Sequence, residues 1–165
     1  MNRPAILTVA LIAMVSLSIA ATAADDPRTV GEAFCKARGA NDDAATRSLL
    51  TPSLIAEVDA AQARSDVIGK TNPDEKPPLG DGIPYQAFPD VPKDCVVGAV
   101  ADGAGSIEVK VTYSFPDSPD ANWTDRLKLV TENDSLSIDD VIYANVANGE
   151  PDLSLRQILM DAFDQ

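Results

Sequence analysis

Hydrophobic and polar positions divide the chain into a helical front, an irregular middle and a strand-like end. Val30, Ala33, Phe34 and Ala37 form one apolar stripe and predict a helix over 29–38, with Cys35 beside the stripe and Gly39 ending it. Asn41, Asp42 and Asp43 supply a cap for a second helix over 44–50. Thr51-Pro52 reads as an N-cap followed by proline at the first helical position. It opens a third helix to about Ser65, with Leu54, Val58 and Ala61 along one face.

From Asp66 to Lys93 the period breaks. Pro73, Pro77, Pro78, Pro84, Pro89 and Pro92 exclude a long regular element, and Gly80 and Gly82 add turns. Ile83, Tyr85 and Phe88 are too apolar to be left in water, so the loop over 66–93 is expected to pack on the sheet within one domain. Beyond it Ile107, Val109, Val111, Tyr113 and Phe115 alternate with polar residues, the period of a half-buried strand. Val96–Ala101 precedes that strand through Asp102-Gly103-Ala104-Gly105, Trp123–Thr131 follows it, and Asn133-Asp134 turns into Leu136–Ala144. Asp152 or Ser154 caps a short last helix carrying Leu155, Ile158, Leu159 and Phe163. Helices first and an antiparallel meander afterwards is an α+β pattern, here with a sheet of about four strands.

The start of the chain changes the picture of where this domain works. Met1-Asn2-Arg3, an apolar run over 5–20 and Ala21-Thr22-Ala23 have the form of a signal peptide, with cleavage expected between Ala23 and Ala24. No basic cluster follows the run, so a retained membrane anchor is not expected. The Ala-rich leader and the Thr- and Asp-rich body have a bacterial style, which points to the periplasm or to secretion. The two cysteines, Cys35 and Cys95, then read as one structural disulfide rather than a redox or metal pair. Composition is globular, with 45% hydrophobic residues, and the net charge is −13. That charge repels phosphate backbones and sets nucleic acid aside as a partner, while it favours encounter with basic proteins.

The candidate chemistry is narrow. The chain contains no histidine, which excludes histidine-dependent triads, and it has neither a Gly-rich phosphate loop nor a Gly-x-Ser-x-Gly elbow. No cofactor or metal is implied. Asp117, Asp120 and Asp125 offer carboxylates for calcium but lack the spacing of a calcium loop, and a solvated acidic turn is the expected role. Asn122-Trp123-Thr124 matches a glycosylation acceptor, idle in an ordinary bacterium. Asp139 and Asp140 alternate on a strand, so without a bulge they face opposite sides. The face carrying Leu136, Ile138, Asp140 and Ile142 is the more apolar, which makes Asp140 the expected inward carboxylate. It would be a structural acceptor for backbone amides, Arg47 or a tyrosine, or, in a pocket, a general base.

"GANDDAATRSLLTPSL", "KPPLGDGIPYQAFPD", "VTYSFPDSPDANWTDRLKLV" and "SIDDVIYAN" resemble the nuclear transport factor 2-like (cystatin-like) α+β superfamily. More narrowly, they resemble small exported bacterial domains of unknown function. The resemblance spans about Val30 to Phe163 and implies a cone-shaped sheet around long helices, with a pocket at its wide end. Enzymes of the superfamily set Asp, Tyr or His in that pocket, and this chain supplies only the first two. Tyr85, Phe88 and Tyr113 are the candidate binding residues. Three functions fit this reading. They are a non-catalytic exported domain binding a protein or small ligand, a periplasmic immunity or inhibitor protein, and a pocket enzyme using Asp140 with a tyrosine.

Overall fold

Each helix starts at a residue able to cap it. The Asp26 carboxylate accepts from the Arg28 amide and Pro27 takes the first helical position, opening α1 (Pro27–Gly39). Gly39 is the last helical residue rather than the stop. The left-handed conformation falls on Asn41, at φ 51°, a residue whose short polar side chain tolerates it. Asp42 then caps α2 (Asp43–Arg47) by accepting from the Ala45 amide at 2.9 Å. That helix ends short of Leu50, because Leu50 leaves it to form a parallel bridge with Ile138 of the sheet. Thr51 caps α3 (Pro52–Thr71), which runs beyond Ser65 and ends at Asn72, the residue before Pro73, where the proline ring disfavours helical geometry.

The computed structural model describes residues 26–103, 105–143 and 153–164. The apolar leader and its cleavage position at Ala23–Ala24, Ala104 of the first hairpin, Ala144 at the end of the last strand and the alternative cap Asp152 lie outside them. Strands β1 (Asp94–Asp102), β2 (Ile107–Ser114), β3 (Trp123–Glu132) and β4 (Ser135–Tyr143) form an antiparallel meander in that order, followed by α4 (Leu155–Asp161). Asn133 and Asp134 both have positive φ, as a tight two-residue hairpin turn requires. The architecture is α+β.

One face of the sheet is the core. Val109, Val111 and Tyr113 of β2, Trp123, Leu127 and Leu129 of β3, and Ile138, Val141 and Tyr143 of β4 form one buried cluster with Phe34, Leu54, Val58, Leu155 and Leu159 of the helices. Helix α1 lies close on β2: a Cβ at Gly31 would come within 3.0 Å of a Val109 methyl, so glycine is what permits the approach. The other face is polar, with the Thr112 and Thr124 hydroxyls 2.9 Å apart and Arg126 paired to Glu108 at 3.2 Å.

Both sheet edges are capped in part by other elements. On β1 the register slips between Val97 and Val100, and Arg28 of α1 donates to the Val97 and Gly98 carbonyls there, each at 3.1 Å. On β4 the Ile138 amide donates to Leu49 and its carbonyl accepts from Thr51, while the Tyr143 amide donates to Leu153. The loop after α3 packs inward through Leu79, Tyr85 and Gln86, all buried.

Cys35 of α1 and Cys95 of β1 are disulfide-bonded across a separation of 60 residues, and among the described residues no helix is long and apolar enough to cross a membrane. Closing a loop of that size removes chain entropy worth about 4 kcal/mol from the unfolded state. A Cys35→Ser/Cys95→Ser variant is therefore expected to lose about 4 kcal/mol of unfolding free energy in urea melts. An unchanged midpoint would refute that account of the bridge.

Candidate functional site

The adjacent carboxylates of β4 meet at a bulge. Lys128 of β3 pairs with Asp140 while Leu129 pairs with Ile138, so Asp139 is the extra residue and the alternation slips by one. Ile138, Val141 and Tyr143 therefore face the core, and Asp140 does not share a face with Ile138 as strict alternation required. Asp140 is buried nonetheless, against the start of α4. Its Oδ1 accepts from the Arg156 amide at 3.1 Å and from the Val141 amide at 2.9 Å. Carboxylate charge suits a helix N-terminus, so the residue serves as a remote cap.

Asp139 has a different set of partners. Its Oδ1 accepts from the Arg156 guanidinium at 2.7 Å and its Oδ2 lies 3.2 Å from Lys128 Nζ. Arg156 also donates to the Asp139 carbonyl and pairs with Glu57 of α3. Partial burial works against the Asp139 charge, but hydrogen bonds from Lys128 and Arg156, with their charges, outweigh it and hold the carboxyl below its usual range. Of the partners expected for Asp140, the backbone amides are the ones it meets, while Arg47 is engaged by Asp59 at 2.6 Å.

The inward carboxylate is Asp125. It lies in phase with Leu127 and Leu129 on β3, fully buried, away from the exposed Asp117 and Asp120, so these three do not share a calcium loop. Its Oδ2 accepts from the Ala87 amide at 3.1 Å and the Trp123 indole at 3.3 Å. Tyr143 donates its hydroxyl to the Pro84 carbonyl, so the loop segment 84–87 is pinned over this end of the core from two sides. Burial first, and the Asp125 charge second, push the Tyr113 and Tyr143 hydroxyls well above the ordinary tyrosine value. Tyr85 is raised as well, chiefly by burial. Tyr85 and Tyr113, expected as binding residues, are thus core residues, 3% and 0% exposed.

Phe88 is the member of that set which reaches the surface, at 45% exposure. Its ring stands edge-on to Trp123 at 5.2 Å, and Phe115 stacks on the same indole at 5.6 Å. Tyr113 backs the indole at 4.7 Å. Phe88 and Phe115, with Ser118, Asn122, Asp90 and Asp120, line an open groove of about 420 Å³. Its walls are fixed from beneath. Gln86 Nε2 donates to the Phe88 and Asp90 carbonyls at 2.7 and 2.8 Å, and Gln86 Oε1 accepts from the buried Arg38 at 3.0 Å. On the opposite wall Asn122 Oδ1 accepts from the Phe115 amide at 2.8 Å.

The sequence marked Phe88, placed Asp125 in a solvated turn although it is fully buried, and gave no sign of Gln86 or Arg38. The signal for Asp125 was present, since Trp123, Asp125, Leu127 and Leu129 alternate in one phase. Nothing local marks the contact of Arg38 with Gln86. Two further clefts exist, one beside the disulfide with Arg28, Lys36 and Lys93, the other between α3 and α4, where Arg64 lies 4.4 Å over the Phe163 ring. No known protein-family description, curated protein or solved structure matches the chain.

Two expectations follow from the titrating groups. The depressed Asp139 carboxyl contributes stability that is present above its unfolded value of 3.8 and is lost as pH falls through the lower folded value. Asp139→Asn should cost about 1–3 kcal/mol near neutrality, with the mutant and wild-type urea midpoints converging in acid. Asp140→Asn should cost less, about 1 kcal/mol, because an amide oxygen can still accept from the two backbone amides. A raised tyrosine value has the opposite sense: stability holds below the unfolded tyrosine value near 10 and falls above it. Phenolate absorbance is expected to appear together with the loss of near-ultraviolet circular dichroism, and tyrosines ionising in a folded chain at their ordinary value would contradict the burial.

Proposed function

We propose that the protein is an exported, non-catalytic binding domain of the nuclear transport factor 2-like (cystatin-like) kind, and that its binding surface is the groove beside Trp123. The leader supports export, and the disulfide is in keeping with an oxidising compartment. Helices followed by an antiparallel meander support the family reading. The observation that carries the binding role is the rigid mounting of exposed aromatic surface. The Arg38–Gln86 pair fixes the backbone at Phe88 and Asp90, so this wall of the groove is held by the chain's own hydrogen bonds. Preformed concave sites with aromatic walls and few polar groups bind at low ordering cost.

In support of a non-catalytic role, the carboxylates with catalytic potential are engaged in structure. Asp140 caps α4, Asp139 is ion-paired, and Asp125 accepts from the loop and the indole. A photo-cross-linking residue placed at Ser118, expressed in the native compartment, is expected to trap a partner that a Phe88→Ala chain no longer traps. The same residue at Thr112, on the polar sheet face, is the control. Equal trapping at both positions, or trapping that ignores Phe88→Ala, would exclude this groove as the binding surface.

A further inference from the structure

We infer that the occupant of the groove is an arginine or lysine side chain presented by a basic protein partner. This rests on the groove being the binding surface and adds the chemistry of what enters it. The walls contribute two kinds of group that together select a cation. The faces and edges of Phe88 and Phe115 supply π-surface, mounted on Trp123. Asp90 and Asp120 supply carboxylates on the rim, and neither forms an ion pair among the described residues.

Among the described residues no lysine or arginine lines this groove, whereas the cleft beside the disulfide and the cleft between α3 and α4 each contain arginine. The alkyl stem of a long basic side chain fits against the rings while its charged head meets the carboxylates, as amphipathic side chains do at wet interfaces. The overall charge of −13 supplies the long-range attraction, so a basic protein is drawn to the whole molecule before its side chain is seated. Position matters as much as charge. The Asp90 backbone is tied by Gln86, and the Phe115 backbone on the opposite wall is tied through Asn122, so both walls are anchored where the rings and Asp90 leave the main chain.

The chain has a single tryptophan, Trp123, and it lies under the groove, so its fluorescence reports occupancy directly. The test titrates the full folded protein with a Gly/Ser peptide carrying one central arginine, and with the same peptide carrying citrulline or norleucine in its place. The arginine peptide is expected to change Trp123 emission and to bind roughly three- to thirtyfold more tightly than the citrulline peptide. Asp90→Asn/Asp120→Asn, both exposed positions, should remove most of that preference while thermal melting stays at the wild-type temperature, and added salt should weaken the arginine peptide alone.

If norleucine or citrulline peptides bind as tightly as arginine, with binding lost in Phe88→Ala, the groove remains a binding surface and the cation inference is overturned. If tetramethylammonium binds as tightly as the arginine peptide, the partner is a small cation and the assignment to a protein falls. If no peptide changes the emission, the inference fails, and the cross-linking at Ser118 decides separately whether the groove is a binding surface.

Discussion

A guanidinium withdrawn from water must find acceptors for its N–H groups, and Arg38, 7% exposed, meets that constraint by joining three parts of the chain. It donates to Asp43 of α2 at 2.7 Å and to Gln86 of the long loop at 3.0 Å, and its head lies 5.6 Å over the Tyr85 ring. The angle between the first two helices, the path of the loop and the height of Phe88 above Trp123 all depend on that one charge being satisfied. Losing Asp43 leaves a buried cation without its counter-charge, and losing Gln86 leaves a buried N–H without its acceptor, so either change costs more than the contact itself contributes.

Arg156 has a parallel role at the other end of the domain. Helix α4 is short, with seven residues, and a helix of that length is marginal on its own. It is fastened by Leu155 and Leu159 in the core, by Asp140 at its amino terminus and by the Arg156 bonds to Asp139 and Glu57. The bulge at Asp139 makes this fastening geometrically available, because it turns two consecutive carboxylates toward one arginine. The two carboxylates, expected on opposite faces of an unbulged strand, thus form a tie between β4, α3 and α4.

Much of this was legible beforehand, for local reasons. Thr51-Pro52, Asn133-Asp134 and the alternation over 107–115 are short-range signals that tertiary packing has no cause to override, and the elements they announce are present. Two cysteines leave one intramolecular pairing, and it forms. What escaped was non-local or out of phase. A bulge leaves no mark in a two-residue period until the partner strand is known, so Asp140, buried as expected, was placed in phase with Ile138 when it is not. Asp125 was read with the Pro- and Asp-rich turn before it, although its phase belonged to the strand. The groove joins residues from a loop and from a β2–β3 connection; Phe88, Asp120 and Asn122 stood out singly in the sequence, but Phe88 was expected to be packed rather than 45% exposed, and the glutamine that holds its backbone carries no local signal.

The disulfide divides the molecule in a way that neither the helices nor the sheet suggests. Residues 35–95 form a covalent ring containing Gln86, Phe88 and Asp90, whereas Phe115, Asn122 and Trp123 belong to the open chain beyond it. The groove is a seam between ring and tail, with one wall from each. An unfinished chain, with the ring closed and the sheet unpaired, owns only half of the surface. The groove is thereby a property of the completed fold, since no fragment on either side of the seam carries both of its walls.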